Sequence, residues 1–238
     1  MARIKRTGKA DKKRAQRSAT KKAAKARTAP KRKAPAKQPP SLAQMRGVVT
    51  FETNEILVLV HAPIDRVTEA FRKHKRARVC CNNVAGKVVT ISDPCYLAYQ
   101  LQGHPWTVID GYVCDGNDYP RPEDAKALSK ALKTRAIFYG NSDTAGATGY
   151  DLFDCGKRLE HLEAFEEIEF ESQLGREGPS DPCAVEEFVE AFIREQDAFA
   201  PAWSGHLGGW RCDDGEKVKL PFGDFGPEDL VRLDFVAV

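Results

Sequence analysis

The clearest apolar run in the chain, Ile56-Leu57-Val58-Leu59-Val60, lies in a stretch, 55–62, that predicts a buried strand ended by Pro63. The hydrophobic period then changes. Ile64, Val67 and Phe71 recur at i, i+3 and i+7, which predicts a helix opening with Pro63 as its first residue and running to about Lys75. Residues 87–92 and 96–102 read as strands. Gln102-Gly103-His104-Pro105, set between Leu101 and Trp106, fits a tight hairpin with Gly103 at a positive-φ position and 106–111 as the return strand. A loop rich in Gly, Asp, Asn and Pro over 115–122 leads into a second helix. Ala125, Leu128, Ala131 and Leu132 share one of its faces, and Glu123 and Asp124 complement its N-terminal dipole.

Residues 136–140 return as an apolar strand, 141–149 read as a polar turn, and 150–154 resume strand character before a turn at Cys155-Gly156. In Glu167-Ile168-Glu169-Phe170-Glu171 strict alternation turns Ile168 and Phe170 toward the core and three Glu away from it. Asp181-Pro182 caps what reads as the longest helix, whose core stripe is Val185, Phe188, Val189, Phe192, Ile193 and Phe199. A Trp- and Gly-rich loop over 201–210, a turn at Asp214-Gly215 and a terminal strand over 233–238 complete the chain. Strands interleaved with about three helices, including at least one hairpin, predict a single α+β domain with a mixed or mainly antiparallel sheet over 54–238. Residues 41–53 read as a linker, and 1–40 as a disordered basic tail.

Charge changes this picture. Of 37 basic and 34 acidic side chains, 16 and 1 fall within residues 1–40, which leaves 21 basic and 33 acidic residues in 41–238. The formal charge is therefore +15 on the tail and −12 on the remainder, an asymmetry that points to polyanion binding. The basic residues are Arg3, Lys5, Arg6, Lys9, Lys12, Lys13, Arg14, Arg17, Lys21, Lys22, Lys25, Arg27, Lys31, Arg32, Lys33 and Lys37. With almost nothing apolar to bury, the tail cannot offset the roughly 1–2 kcal/mol per residue that backbone ordering costs. Against a polyanion the segment 21–27 has the Ala and Lys content to turn helical, whereas Pro30, Pro35, Pro39 and Pro40 keep the second half extended.

In Lys-Lys-Ala-Ala-Lys-Ala-Arg-Thr-Ala-Pro-Lys-Arg-Lys-Ala-Pro-Ala-Lys, residues 21–37, the tail resembles the lysine-, alanine- and proline-rich tails of linker histones and of bacterial histone-like proteins. The resemblance covers the tail alone and implies nucleic-acid association. Binding of this kind would be sequence-blind and driven by counterion release. The tail has no Trp, Tyr, Phe or His to stack on bases. An import signal, a solubility arm and docking on the acidic domain are the competing uses of the same charge.

The acidic domain offers weaker chemical signals. Seven cysteines with no C-x-x-C spacing predict reduced structural thiols and no metal site, and no cofactor fingerprint is present. Cys155, before Gly156 at a strand end, is the cysteine that a base would have to activate for catalysis. Asp143 and Thr144 follow a buried strand, and Trp203, His206 and Trp210 punctuate a glycine-rich loop; together they are the candidates for a ligand site. From 160 to 171 there are six Glu and no Lys or Arg, so Glu167, Glu169 and Glu171 are the candidates for contact with a basic protein such as a nuclease or the tail of another copy. Arg72, Lys73, Lys75 and Arg76 read as the dipole complement at a helix end.

Three functions follow as expectations. The first is a non-enzymatic protein whose tail tethers an acidic interaction domain to DNA or RNA. The second is a protein-binding module with an acidic docking face, and the third is an enzyme built on loops 141–149 and 203–210. Nucleic acid and a basic protein are the expected partners, and no apolar run approaches the ~18 residues of a membrane span. The expected location is cytoplasmic or nucleoid-associated, or nuclear in a eukaryote.

Overall fold

The centre of the fold is a nine-stranded sheet in which every neighbouring pair is antiparallel, seen in a computed structural model that describes residues 41–49, 51, 54–85, 88–90, 95–112, 119–201, 217–219 and 227–238. All of these lie within one unit, Pro39–Val238. In chain order the strands are β1 (Gly47–Val48), β2 (Glu55–Val60), β3 (Val79–Cys81), β4 (Val88–Thr90), β5 (Cys95–Leu101), β6 (Thr107–Tyr112), β7 (Arg135–Ser142), β8 (Ala147–Asp154), β9 (Lys157–Ala164), β10 (Ile168–Ser172), β11 (Phe199–Ala200), β12 (Lys217–Lys219) and β13 (Leu230–Ala237). The helices are α1 (Ile64–Lys75), α2 (Pro122–Leu132) and α3 (Val185–Glu195). The large sheet runs β10-β9-β8-β7-β2-β6-β5-β13-β3, while β1 with β11 and β4 with β12 form two-stranded pairs. This is an α+β fold.

Burial grades from the middle of the sheet to its edge. β5 is buried along its whole length and β2 at five of six positions, because both faces are packed there, one by α1 and α2 and the other by the second core cluster. On one face α1 and α2 pack over Val58, Val60, Tyr96, Ala98, Ile109, Ala136 and Phe153. On the other, α3 packs over Leu57, Leu59, Tyr99, Ile137, Tyr139, Tyr150 and Leu162. Tyr150 stacks on Phe192 of α3 with ring centroids 3.7 Å apart and planes 6° from parallel. Toward the edge the two-residue period becomes visible, in the alternating burial of β9 and, between half-buried and exposed, of β10.

The helical stripes sit where the periodicity places them. Ile64, Val67 and Phe71 of α1 are buried, and so are Val185, Val189, Phe192 and Ile193 of α3. Pro63 caps α1 from an extended conformation and is not its first residue. Phe199 leaves the α3 stripe to form β11, and α1, at twelve residues, is longer than α3, at eleven. In α2 the buried face carries Asp124, Ala125, Leu128 and Ser129, with Ala131 exposed. The 102–105 hairpin forms between β5 and β6. Gly103 adopts φ +78°, and a Cβ there would come within 2.6 Å of Ala43.

Several boundaries differ from the sequence reading. Within 141–149 only residues 143–146 are a turn, since β7 runs to Ser142 and β8 starts at Ala147. The terminal strand begins at Leu230 and lies inside the sheet, between β5 and β3. The stretch read as a linker contributes to the domain: β1 pairs in parallel with β11, and Leu42, Met45, Val48 and Phe51 pack against the core. His104 anchors it by donating from Nε2 to the Leu42 carbonyl (2.9 Å) while stacking on Phe199. β9 has no counterpart in the sequence reading because Lys157-Arg158-Leu159-Glu160-His161 lacks apolar alternation. Its Glu160 is buried, accepting from Tyr150 Oη (2.6 Å) and Ser172 Oγ (2.8 Å).

A candidate cation-binding cleft at the acidic end of the sheet

The β7–β8 turn, the bend before β10 and the first turn of α3 are far apart in sequence, yet they surround one cavity of about 450 Å³. Its walls include Phe51, Ala147, Ala164, Phe165, Ile168, Pro182 and Val185, and its acidic residues are Asp143, Glu166, Glu167 and Glu186. Among the described residues no Lys, Arg or His lines it, and none of the four acids takes part in an ion pair. An apolar floor under a rim of carboxylates accepts a cation that carries a hydrocarbon or aromatic body.

The acids are held by ordinary local structure. Thr144 Oγ1 donates to Asp143 Oδ1 (3.0 Å) and accepts from Asn54 Nδ2 (3.2 Å), while Ser142 Oγ donates to Asn54 Oδ1 (2.6 Å). The turn is thus tied to the residue just before β2. Asn141 Nδ2 donates to the Phe51 carbonyl (2.9 Å), fixing one cavity wall against another. Glu186 stands in the first turn of α3, where a carboxylate complements the helix dipole.

Of the residues singled out in the sequence, Asp143 and Glu167 therefore meet in one cleft, and Thr144 positions Asp143. The three glutamates are all exposed, in alternation with the half-buried Ile168 and Phe170. Glu167 sits in the bend before β10, whereas Glu169 and Glu171 lie on the strand itself opposite Glu163 and His161 of β9. Glu171 accepts from Arg158 Nη2 (2.8 Å). Trp203, His206 and Trp210, and all sixteen basic residues of the tail, lie outside the described residues. The cleft residues that the sequence reading missed are Phe51, Phe165, Glu166 and Glu186. Only Glu166 gave a signal, as one of the six glutamates between 160 and 171.

A second cavity, about 560 Å³, opens on the opposite face of the same sheet end, lined among others by Ile56, Phe138, Gly140, Gly149, Asp151, Arg158, His161 and Glu163. His161 Nδ1 donates to the buried Asp151 (3.0 Å), a pairing that orients an imidazole. Ser142 and Thr148, which also line this cavity, direct their hydroxyl protons to Asn54 Oδ1 (2.6 Å) and the Gly140 carbonyl (3.4 Å). Cys155 is exposed in the β8–β9 turn, and its hydrogen bond to Asp154 Oδ1 (3.3 Å) is the main cause raising its thiol pKa, the opposite of activation. Among the described residues no three of His, Cys, Asp or Glu are grouped to hold a metal ion.

The basic end of α1 is spent on the fold. Arg72 and Lys73 pair with Glu69, while His74 Nε2 (2.8 Å) and Lys75 Nζ (2.7 Å) reach the buried Asp124 at the start of α2. Between β2, β6, β5 and β7 lies a further polar group, the buried Glu55, Asp110, Tyr99 and Tyr139. Burial and then the charge of Glu55 push the Asp110 carboxyl well above its ordinary value, against a lowering hydrogen bond from Gly111 N–H. Burial likewise raises both phenols, with Asp110 and Glu55 adding at Tyr99, and Glu55 and Glu186 at Tyr139.

Comparison with protein-family models, with curated proteins and with solved structures finds no match to this chain. Among the described residues no helix is long and apolar enough to cross a membrane.

Proposed function

We propose that this protein is a non-enzymatic, nucleic-acid-associated adaptor whose basic tail tethers an acidic α+β domain to DNA or RNA without sequence preference. One observation carries the reading: sixteen basic side chains and a single acid share residues 1–40, while the remainder of the chain is net acidic. A chain so divided gains affinity for phosphates from released counterions at one end and repels them at the other. The domain is thereby left free to hold something else.

The acidic cleft and the glutamates of β10 support the second half of this reading, contact with a basic partner. Binding of full-length protein to mixed-sequence DNA across a salt series tests the first half. Affinity should fall by about 10³ to 10⁵ between roughly 50 and 200 mM salt if six to ten phosphates are neutralised. Removing residues 1–40 should abolish binding while the circular dichroism of the domain is unchanged. Binding indifferent to salt, or retained after the deletion, refutes the assignment.

A further inference from the structure

We propose that the open edge of β10 and the cleft at its start together form a docking site for an extended, arginine-bearing peptide segment. The segment adds to β10 as a further strand and places one guanidinium in the cleft. The inference deepens the adaptor reading by naming the partner's chemistry, and it does not depend on the tail.

Four features converge. First, β10 is the last strand of the sheet and pairs with β9 alone, so one side of its backbone has no strand partner among the described residues. Unpaired backbone groups on an edge are a template for another strand. Second, the chain immediately around this edge exposes large apolar side chains: Phe165 is 59% and Leu174 50% exposed, one before and one after the strand. Apolar anchors at both ends of an open edge are what a bound strand would bury.

Third, the charge selects the occupant. Glu163, Glu166, Glu167, Glu169 and Glu171 are exposed around β10, with Arg158 on Glu171 the only cation paired to any of them among the described residues. A second copy of β10 laid on this edge would set glutamate against glutamate, and a phosphate backbone would meet the same repulsion. A strand bearing positive side chains meets neither penalty. Fourth, the cleft at the beginning of the strand carries Asp143, Glu167 and Glu186 over Phe51, Phe165, Ile168 and Val185. Arginine suits it better than lysine. Its planar head stacks on an aromatic face and offers a fork of N–H donors to carboxylates, while its three-methylene stem covers the apolar floor.

The test uses the full chain and a fluorescein-labelled short peptide of alternating Arg and Val, with binding read by anisotropy. The Arg peptide should bind, its Lys counterpart more weakly, and its citrulline counterpart, which keeps the shape without the charge, about tenfold more weakly or not at all. Glu167→Gln combined with Glu186→Gln, both at exposed positions, should weaken binding of the Arg peptide by about tenfold or more. N-methylation of alternate peptide amides should abolish binding in one frame and spare it in the other, since a strand turns every second N–H toward its neighbour.

Equal affinity for the citrulline peptide, unchanged affinity in the double variant, or indifference to both methylation frames would overturn the proposal. Mixed-sequence DNA binding by the same double variant should equal that of the unaltered chain. Peptide binding without DNA binding would leave the docking site standing and remove the tether; DNA binding without peptide binding would do the reverse.

Discussion

At the scale of single residues, the fold places carboxylates where water does not reach and answers each differently. Asp234 is fully buried, and its two oxygens accept from Arg232 Nε and Nη2 (both 2.6 Å), Thr68 Oγ1 (2.8 Å) and the Asn83 amide (2.9 Å). The desolvation of that charge is offset by these donors, which come from α1, β13 and the chain after β3. Asp110 is met by the Gly111 N–H, which does not outweigh its burial. Its carboxyl is raised above the ordinary 3.8 by burial and by Glu55, so folding takes up a proton in the window between 3.8 and the raised value. Stability from this group is therefore lost as pH rises through its folded pKa, and the penalty is complete once the pH has passed that value. Asp110→Asn should stabilise the protein by about 1–3 kcal/mol at neutral pH, with the difference vanishing below 3.8, as urea melts of both proteins at the two pH values would show.

At the scale of elements, strand spacing decides which small residues are obligatory. Gly140 and Gly149 face each other across β7 and β8, and sequence alone does not separate them. A Cβ on Gly149 would lie 2.3 Å from the Leu162 carbonyl oxygen and 3.2 Å from Glu163 Cα, both of them backbone atoms of β9. On Gly140 the nearest atoms would be the Phe138 ring at 3.7 Å, an ordinary van der Waals approach. Gly149→Ala should accordingly lower the denaturant midpoint by an amount worth about 1–3 kcal/mol, and Gly140→Ala should change it by less than about 1 kcal/mol. An equal effect of the two would show that β8 and β9 are not so closely apposed. Legibility of the elements follows the same geometry. β2, α1, α3 and the Gly103 hairpin are readable because an apolar run, a helical stripe or a turn glycine marks them locally. β9 is not, because its inward Glu160 is neutralised by partners on β8 and β10 that no local pattern reveals.

At the scale of the whole molecule, the two charge blocks have separate tasks in the adaptor reading, and each can be titrated without touching the other. Replacing Lys21, Lys22, Lys25 and Arg27 with Gln should reduce the slope of log affinity against log salt by about 0.9 for each phosphate no longer neutralised, about 3–4 in all, for mixed duplex DNA. The fold should be unaffected, with the same melting temperature. A slope that does not change would place the phosphate-binding groups elsewhere in the chain.

The candidate site shows where sequence reasoning stops. Asp143 stands out in the sequence as part of a polar strand end and Glu167 as one of an acidic series, for unrelated reasons, and only the sheet order brings them into one cleft with Glu186. Glu167, Glu169 and Glu171 are exposed in alternation with the half-buried Ile168 and Phe170, although the strand itself begins only at Ile168, after a bend. By itself the sequence determined the α+β class, the apolar faces of the helices and central strands, and the opposition of basic tail to acidic domain. Those properties depend on hydrophobic period and charge, which are written along the chain. The strand order, the burial of Glu55, Asp110, Glu160 and Asp234, and the cleft at the start of β10 were decided by tertiary structure. Each depends on which polar groups meet across tens of residues of intervening chain, and packing rather than local propensity chooses those meetings.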